Sequence, residues 1–493
     1  MVPHFCCLSR ARRFRVIRFQ LVSAGALGAA LVAGCAGGGT GTGPLFRGNT
    51  TVVLLASSTA NDQLIEFPLT LSSLTLTTQS GKTATLFSSP LSAEYIHLNG
   101  NIEPLTSVSI PQGIYTSATA TYDGTAPVCL GQSTSGGLLI DGALNGPGTP
   151  TVTVNLPQPI TVTGTAMGLV LNLQVSASAP FSGACAQNLS VPVSPVFDLT
   201  PLTIAAQPAN SSNGKALGLV GTVTSIDANG AGFTVTAPIG YWNGNPPVWQ
   251  VSTSGSTVFQ GINSAAGLTT GIPVDMDVAL QADGSLMATR VAVYNTDAMN
   301  AALSVGQLIM PGYPASSVDG LTAQESGGLA EYDDVFSYGS ASSQISGQLT
   351  NLQNLPFAAA FNAADGIGGQ NVLVTSNAPP VDGYPPLPLP IATMTLVPQT
   401  INGTVSAIST TGSFTTYTVT LAPYDLLPQL AEQTDQPTLA SPNTVVVYAD
   451  SGTQKLNSNS LSPGGIFRFY GLLFNDGGTL RMDCAQINDG VAE

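Results

Sequence analysis

Carboxylates are the one catalytic resource this chain offers. Asp275 and Asp277 alternate along a predicted strand and so share a face, while Glu331, Asp333 and Asp334 crowd a predicted loop. Paired carboxyls roughly 5–10 Å apart can hydrolyse a glycosidic bond, one as acid and the other as base or nucleophile. The loop cluster could instead hold calcium, but it lacks the ligand spacing of a calcium loop. As isolated residues, all of these acids are expected on a solvated surface. Histidine is nearly absent: His4 and His97 are the two in the chain, so no histidine cluster can hold zinc or copper. His97, between Ile96 and Leu98, is expected as a structural strand residue. No Gly-x-Ser-x-Gly elbow, Walker A loop, Cys-x-x-Cys, His-Glu-x-x-His or dinucleotide fingerprint occurs, and GQSTSGG (131–137) reads as a loop. No catalytic residue, metal ligand or cofactor is assigned. The chain is expected not to be an enzyme, with a carboxylate-based hydrolase as the remote alternative.

Aromatic side chains give a second signal. Tyr241, Trp242 and Trp249 fall within YWNGNPPVW, which holds both tryptophans of the protein. Exposed aromatics flanked by Asn and Gly suit stacking on a sugar ring or docking a partner. Capping the core of the adjoining β unit is the competing reading, and both stay open at this point.

The elements that must position these residues are strands. At 493 residues the chain exceeds one ordinary core and suggests three to four domains. Hydrophobic residues make up 43% and charged residues 8%, far below the roughly 25% usual for soluble domains. Its surface must therefore be polar through Ser, Thr, Asn and Gln. Gly 54 and Pro 35, with abundant Thr and Val, indicate strands broken by tight turns.

Residues 1–34 read as an export leader. Arg10, Arg12, Arg13, Arg15 and Arg18 precede the apolar run LVSAGALGAALVAG (21–34), which is short for a membrane span. The run ends Val32-Ala33-Gly34-Cys35 and resembles the lipobox of bacterial lipoproteins. That resemblance implies lipidation of Cys35, and Ala36 after it implies sorting to the outer membrane. Arg12-Arg13-Phe14 is an incomplete twin-arginine pattern. AGGGTGTGP follows Cys35 with no flanking strand or helix to make a phosphate loop, so residues 35–49 read as a flexible tether. Removing the five leader arginines from the 12 Lys and Arg leaves seven basic residues against 27 acidic ones, a net charge of −20. Such a body repels phosphate backbones and disfavours nucleic acid as a partner. Once exported, it could bond Cys129 to Cys185, adding on the order of 3–4 kcal/mol if unstrained. Cys484 reads as a core thiol.

Residues 50–205 carry strands at sandwich spacing: the buried run TVVLLASS (51–58), LTLSSLTLTT (69–78) with a phase change at Ser72–Ser73, and IPQGIYTSATATYDG (110–124). In the last, Ile114, Thr116, Ala118 and Ala120 are expected on one side. TVVLL, FPLTLSSLTL and especially Pro111-Gln112-Gly113-Ile114-Tyr115 resemble the bacterial family called domain of unknown function 4382. That resemblance implies an immunoglobulin- or transthyretin-like sandwich with Tyr115 packed across the sheet, and it supplies no catalytic residue.

Three later segments align at their starts: GTVTSI (221–226), ISGQL (345–349) and INGTVSAI (401–408). Second strands follow in the first and third copies (232–238 and 417–423). The closing hairpins VDMDVALQADGSLMATRVAVYN (274–295) and FRFYGLLFNDGGTLRMDCAQIND (467–489) both turn at Asp-Gly. Irregular spacing indicates tandem small domains over a solenoid, and about five strands suit a small oligonucleotide/oligosaccharide-binding-type (OB-like) barrel. The units resemble the family called domain of unknown function 5666. The reading is all-β: a sandwich, barrel unit 1 at 216–295, a connector at 296–342 with a short helix near 295–307, a second and incomplete unit at 343–399, and unit 3 at 400–493. The expected role is a lipid-anchored envelope or surface protein that binds a polysaccharide or protein partner without catalysis. A purely structural or assembly lipoprotein is the alternative.

Overall fold

The computed structural model describes residues 46–59, 62–123, 127–132, 139–143, 151–180, 183–185, 192–202, 214–238, 242, 246–281, 284–295, 303–311, 317–320, 334–337, 342–345, 352–362, 366–376, 389–432, 437–456 and 461–490. The chain is all-β: two sandwich sheets and a three-stranded flap, then three successive barrels. No helix among the described residues is long and apolar enough to cross a membrane.

One sandwich sheet runs in the order Phe197–Leu202, Ala166–Leu173, Asn49–Ser58, Glu103–Pro111. The other centres on Gly113–Asp123 and Pro68–Thr78, flanked by Thr151–Val154 and Thr83–Phe87. Pro68–Thr78 alternates on either side of Ser72–Ser73, with Leu69, Leu71, Leu74 and Leu76 buried and its Thr and Ser residues turned outward. The phase change falls where expected, as a register shift between Leu71 and Ser73. A second shift, opposite Thr77 and Thr78, corrects one expectation: Ile114 is 44% exposed and Thr116 faces out, while Tyr115, Ala118 and Ala120 are buried. Tyr115 donates its hydroxyl hydrogen to the carbonyl of Pro111 at 2.8 Å. Strand Asn49–Ser58 is buried on both faces, which explains its unbroken apolar run. Its second face meets the first barrel, where a Cβ on Gly284 would come within 3.0 Å of Val53.

The barrels share one topology. In the first, Lys215–Ile226 pairs with Gly232–Thr236 and Pro273–Leu280, and Val248–Ser252 and Leu286–Ala292 close the ring in parallel at Val251 and Leu286. A short strand, Val258–Gln260, extends the sheet. The third barrel repeats this with Gln399–Thr411, Phe414–Thr420, Thr444–Ala449, Gln454–Lys455, Ile466–Asp476 and Thr479–Asp489, closed at Val445 and Leu480.

The second barrel corrects the expected boundaries. It is a full ring of Leu303–Pro311, Ser317–Gly320, Asp334–Ser337, Asn371–Ser376 and Leu389–Leu396, with Ser342–Ile345 as the extension. Residues 296–342 therefore supply its first three strands in place of a connector, the unit is complete, and residues from Leu303 onward form a strand where a helix was expected. The difference has a local origin: Gly306-Gln307-Leu308 and Gly347-Gln348-Leu349 are the same tripeptide, and the earlier one opens the barrel. Register identifies the true equivalent: Gly221, Gly306 and Gly403 lie opposite Val274, Val372 and Phe467, each the second residue of its barrel's long fifth strand. Glycine is required where the opening strand folds tightly over the second. A Cβ on Gly221 would lie 2.5 Å from the Thr236 carbonyl oxygen, and one on Gly403 2.8 Å from that of Thr420.

Candidate functional site

Trp242 lies between the second and third strands of the first barrel, and Trp249 lies in the third strand, Val248–Ser252. Trp242 is 1% and Trp249 2% exposed, so neither ring is offered to a sugar, a correction to the stacking reading. Both indoles donate into the sandwich. Trp242 Nε1 reaches Glu103 Oε2 at 3.1 Å, and Trp249 Nε1 reaches the Pro104 carbonyl at 2.9 Å. The core-capping alternative was therefore nearer, except that the cap spans a domain seam: one continuous apolar core joins the sandwich and the first barrel. Tyr241 lies outside the described residues. The equivalent loop of the third barrel also docks on the sandwich. There helix Leu426–Ala431 begins with the Leu426 N–H donating to the Asp62 carbonyl, and the Asp62 carboxylate accepts from the Asn402 N–H and the Asn99 amide.

Beneath Trp242 sits a buried charge cluster. His97 is on a short 3-10 turn, Ile96–Leu98, in place of the expected strand. Its Nδ1 lies 3.3 Å from Glu94 Oε2 and its Nε2 3.5 Å from Glu103 Oε2, with the imidazole edge-on to Trp242 at 6.1 Å. Burial pulls the His97 pKa down, but the carboxylates of Glu103 and Glu94 outweigh it and hold it up at about 9. Glu94 is fixed by the backbone N–H groups of Phe67, Ile96 and His97.

Residues 220–292 match the family described as Domain of unknown function (DUF5666). The matched segment begins inside the first barrel's opening strand and ends with its last strand. No curated protein matches the chain.

Within the matched segment, Asp275 and Asp277 do share a strand, but they are 2% and 9% exposed. The expected solvated surface acids are thus a buried ion-pair cluster. Arg290, on the neighbouring strand, gives Nη2 to Asp275 at 2.7 Å and Nε to Asp277 at 2.8 Å. The Tyr294 hydroxyl donates to Asp275 and the Gly218 N–H to Asp277. Burial alone would lower the Arg290 pKa; Asp275 and Asp277 raise it well above its usual value. The matching cross-strand pair is Thr375–Thr393 in the second barrel and Tyr470–Gln486 in the third, so this cluster distinguishes the first. Arg290, Tyr294 and the Gly218 N–H thus hold both carboxylates within the barrel itself.

A cavity of about 60 Å3 adjoins both clusters, with wall residues from the sandwich and all three barrels. No sequence motif marks Glu103, Arg290 or Tyr294. The available signal was scarcity: in a body with seven basic residues, an arginine inside an apolar strand implies a buried acid partner.

Cys129 and Cys185 are disulfide-bonded, with Cα atoms 5.8 Å apart. Cys484 is a buried free thiol whose pKa burial pushes up, away from reactivity. Cys35, Glu331 and Asp333 lie outside the described residues, as does the side chain of Asp334.

Proposed function

We propose that this is an exported, lipid-anchored protein of the bacterial envelope, attached through Cys35 and sorted to the outer membrane, acting as a non-catalytic structural or assembly module. The observation that carries the non-catalytic part is the use of both tryptophans and of Asp275 and Asp277 within the protein itself. The side chains best suited to stacking or to acid–base work are spent on fastening the first barrel and its seam with the sandwich. The anchor rests on the resemblance of residues 1–35 to a lipoprotein leader, and the sandwich's resemblance to domain of unknown function 4382 supplies no catalytic residue. The net charge disfavours nucleic acid. Metabolic labelling with palmitate tests the anchor: the wild type takes up label and sediments with membranes, whereas Cys35→Ser loses both. A Cys35→Ser protein that still sediments with membranes contradicts the reading.

A polysaccharide-binding role is the second reading, and one surface favours it. On the outer face of the second sandwich sheet, Thr153, Thr119, Thr75 and Thr85 stand in register across four strands. Rows Thr151–Thr121–Ser73 and Ser117–Thr77–Thr83 flank them. These rows carry hydroxyls and no charge, a chemistry suited to neutral sugar hydroxyls. Retention on envelope glycans that is lost in Thr75→Glu/Thr119→Glu supports this reading, and no retention of the wild type removes it.

A further inference from the structure

We propose that residues 352–361 are an acid-closed strap over the third barrel, docked while the Asp483 carboxyl is protonated and released when it ionises. The segment joins two strands of the second barrel, Ser342–Ile345 and Asn371–Ser376, yet packs on the third. Its Leu352, Phe357 and Ala359 bridge two apolar patches there, one with Leu472 and Phe474 and the other with Tyr448. The Phe357 ring lies 5.0 Å from that of Tyr448 and 5.7 Å from that of Phe474, and the Arg481 guanidinium stands over it at 5.6 Å. Among the described residues no hydrogen bond ties 352–361 to the third barrel, so side-chain packing holds it there. A segment held in this way can open without unfolding the barrel beneath it.

Asp483 sits in the covered face. Its register partners are Leu472 on one side and Tyr448 on the other, and residues directly opposite one another share a face of the sheet. It is 6% exposed, and its Oδ2 accepts no hydrogen bond among the described residues. Its charged neighbours do not neutralise it. Asp450, two residues beyond Tyr448 on the same face, is a second carboxylate. Arg481, two residues before Asp483, gives Nε to Asp476 at 2.7 Å and Nη1 to the Tyr448 hydroxyl. The covering wall is residues 352–361 with the second-barrel strands Asn371–Ser376 and Leu389–Leu396, and it contains no charged residue. Ionising a carboxyl under such a cover is costly. Burial, and then Asp450, raises the Asp483 pKa from 3.8 to about 7. Lifting the segment admits water and lets that pKa fall towards its ordinary value. Docking is therefore unopposed below about pH 4 and weakens as pH climbs to about 7, where Asp483 takes up its charge.

Hydrogen exchange read by mass spectrometry on the full-length protein tests this in steps from about pH 5 to about pH 8, corrected for the intrinsic pH dependence of exchange. Between the two pKa values an equilibrium linked to one ionisation shifts by up to about tenfold per pH unit, so protection of 352–361 should fall about tenfold or more over the series. Strands Thr444–Ala449 and Thr479–Asp489 should keep theirs. Asp483→Asn should hold 352–361 protected throughout. Asp450→Asn retains an oxygen for the Gly452 and Thr453 N–H groups and removes the neighbouring charge, so it should move the loss of protection to lower pH. This second variant decides the matter if Asp483→Asn does not fold. Protection independent of pH in the wild type, an equal loss in Asp483→Asn, an unmoved transition in Asp450→Asn, or parallel loss in the barrel strands overturns the proposal.

Discussion

Trp242 Nε1 of the first barrel donates to Glu103 Oε2 of the sandwich at 3.1 Å, and the same oxygen faces His97 at 3.5 Å. One carboxylate thus ties an indole from one domain to an imidazole from another. With Trp249 on the Pro104 carbonyl, this makes the first barrel and the sandwich a single packed body.

Trp249→Ala should destabilise the protein by about 3–5 kcal/mol, the usual cost of truncating a buried large aromatic. Denaturant unfolding followed by circular dichroism measures it. A change under about 1 kcal/mol would mean that the seam is not packed as described.

Stability should fall as pH rises, through two separate groups. His97 has its pKa raised from 6.5 to about 9 by the facing carboxylates of Glu103 and Glu94, with Asp275 in the same cavity wall. Its contribution is full below about pH 6.5 and is lost as pH climbs through about 9. Asp483 has its pKa raised from 3.8 to about 7 by burial and by Asp450, so keeping it folded grows costlier from about pH 4 to 7. Tm against pH for His97→Gln should flatten only the upper part of the decline, and Asp483→Asn only the lower.

Breaking the Arg290 cluster should be costly and replacing it whole should not. Arg290→Met removes the guanidinium that two buried carboxylates share and is expected to cost about 3–5 kcal/mol. Adding Asp275→Asn and Asp277→Asn should recover much of that loss in the same unfolding assay. A triple variant no more stable than the single would show that the charges are not what couples these residues.

Gly221→Ala and Gly403→Ala each place a Cβ against a backbone carbonyl oxygen, so the second strand must shift in either barrel. Both should lower Tm by several degrees, whereas Gly255→Ala, with open space around it, should leave Tm unchanged.

Much of the fold was legible because strand periodicity survives in a chain with so few charges. Pro68–Thr78 shows its alternation and its bulge directly in LTLSSLTLTT. The second barrel is not legible locally, because its decisive feature is the register of Gly306 against Val372, a long-range pairing that the repeated Gly-Gln-Leu hides. The site was less legible still. Asp275 and Asp277 look like surface acids until Arg290 and Tyr294 are brought beside them, and nothing local to Trp242 and Trp249 says that a second domain covers their rings. Burial between domains is a tertiary fact.

Since both tryptophans of the protein lie in the seam, their fluorescence reports on it alone, while far-UV circular dichroism reports every sheet. The most direct measurement is one denaturant titration followed by both signals. The account predicts coincident transitions with a single midpoint, because seam and domains unfold together. Tryptophan emission that shifts to the red at clearly lower denaturant than the loss of strand signal would show a loosely joined first barrel and contradict it.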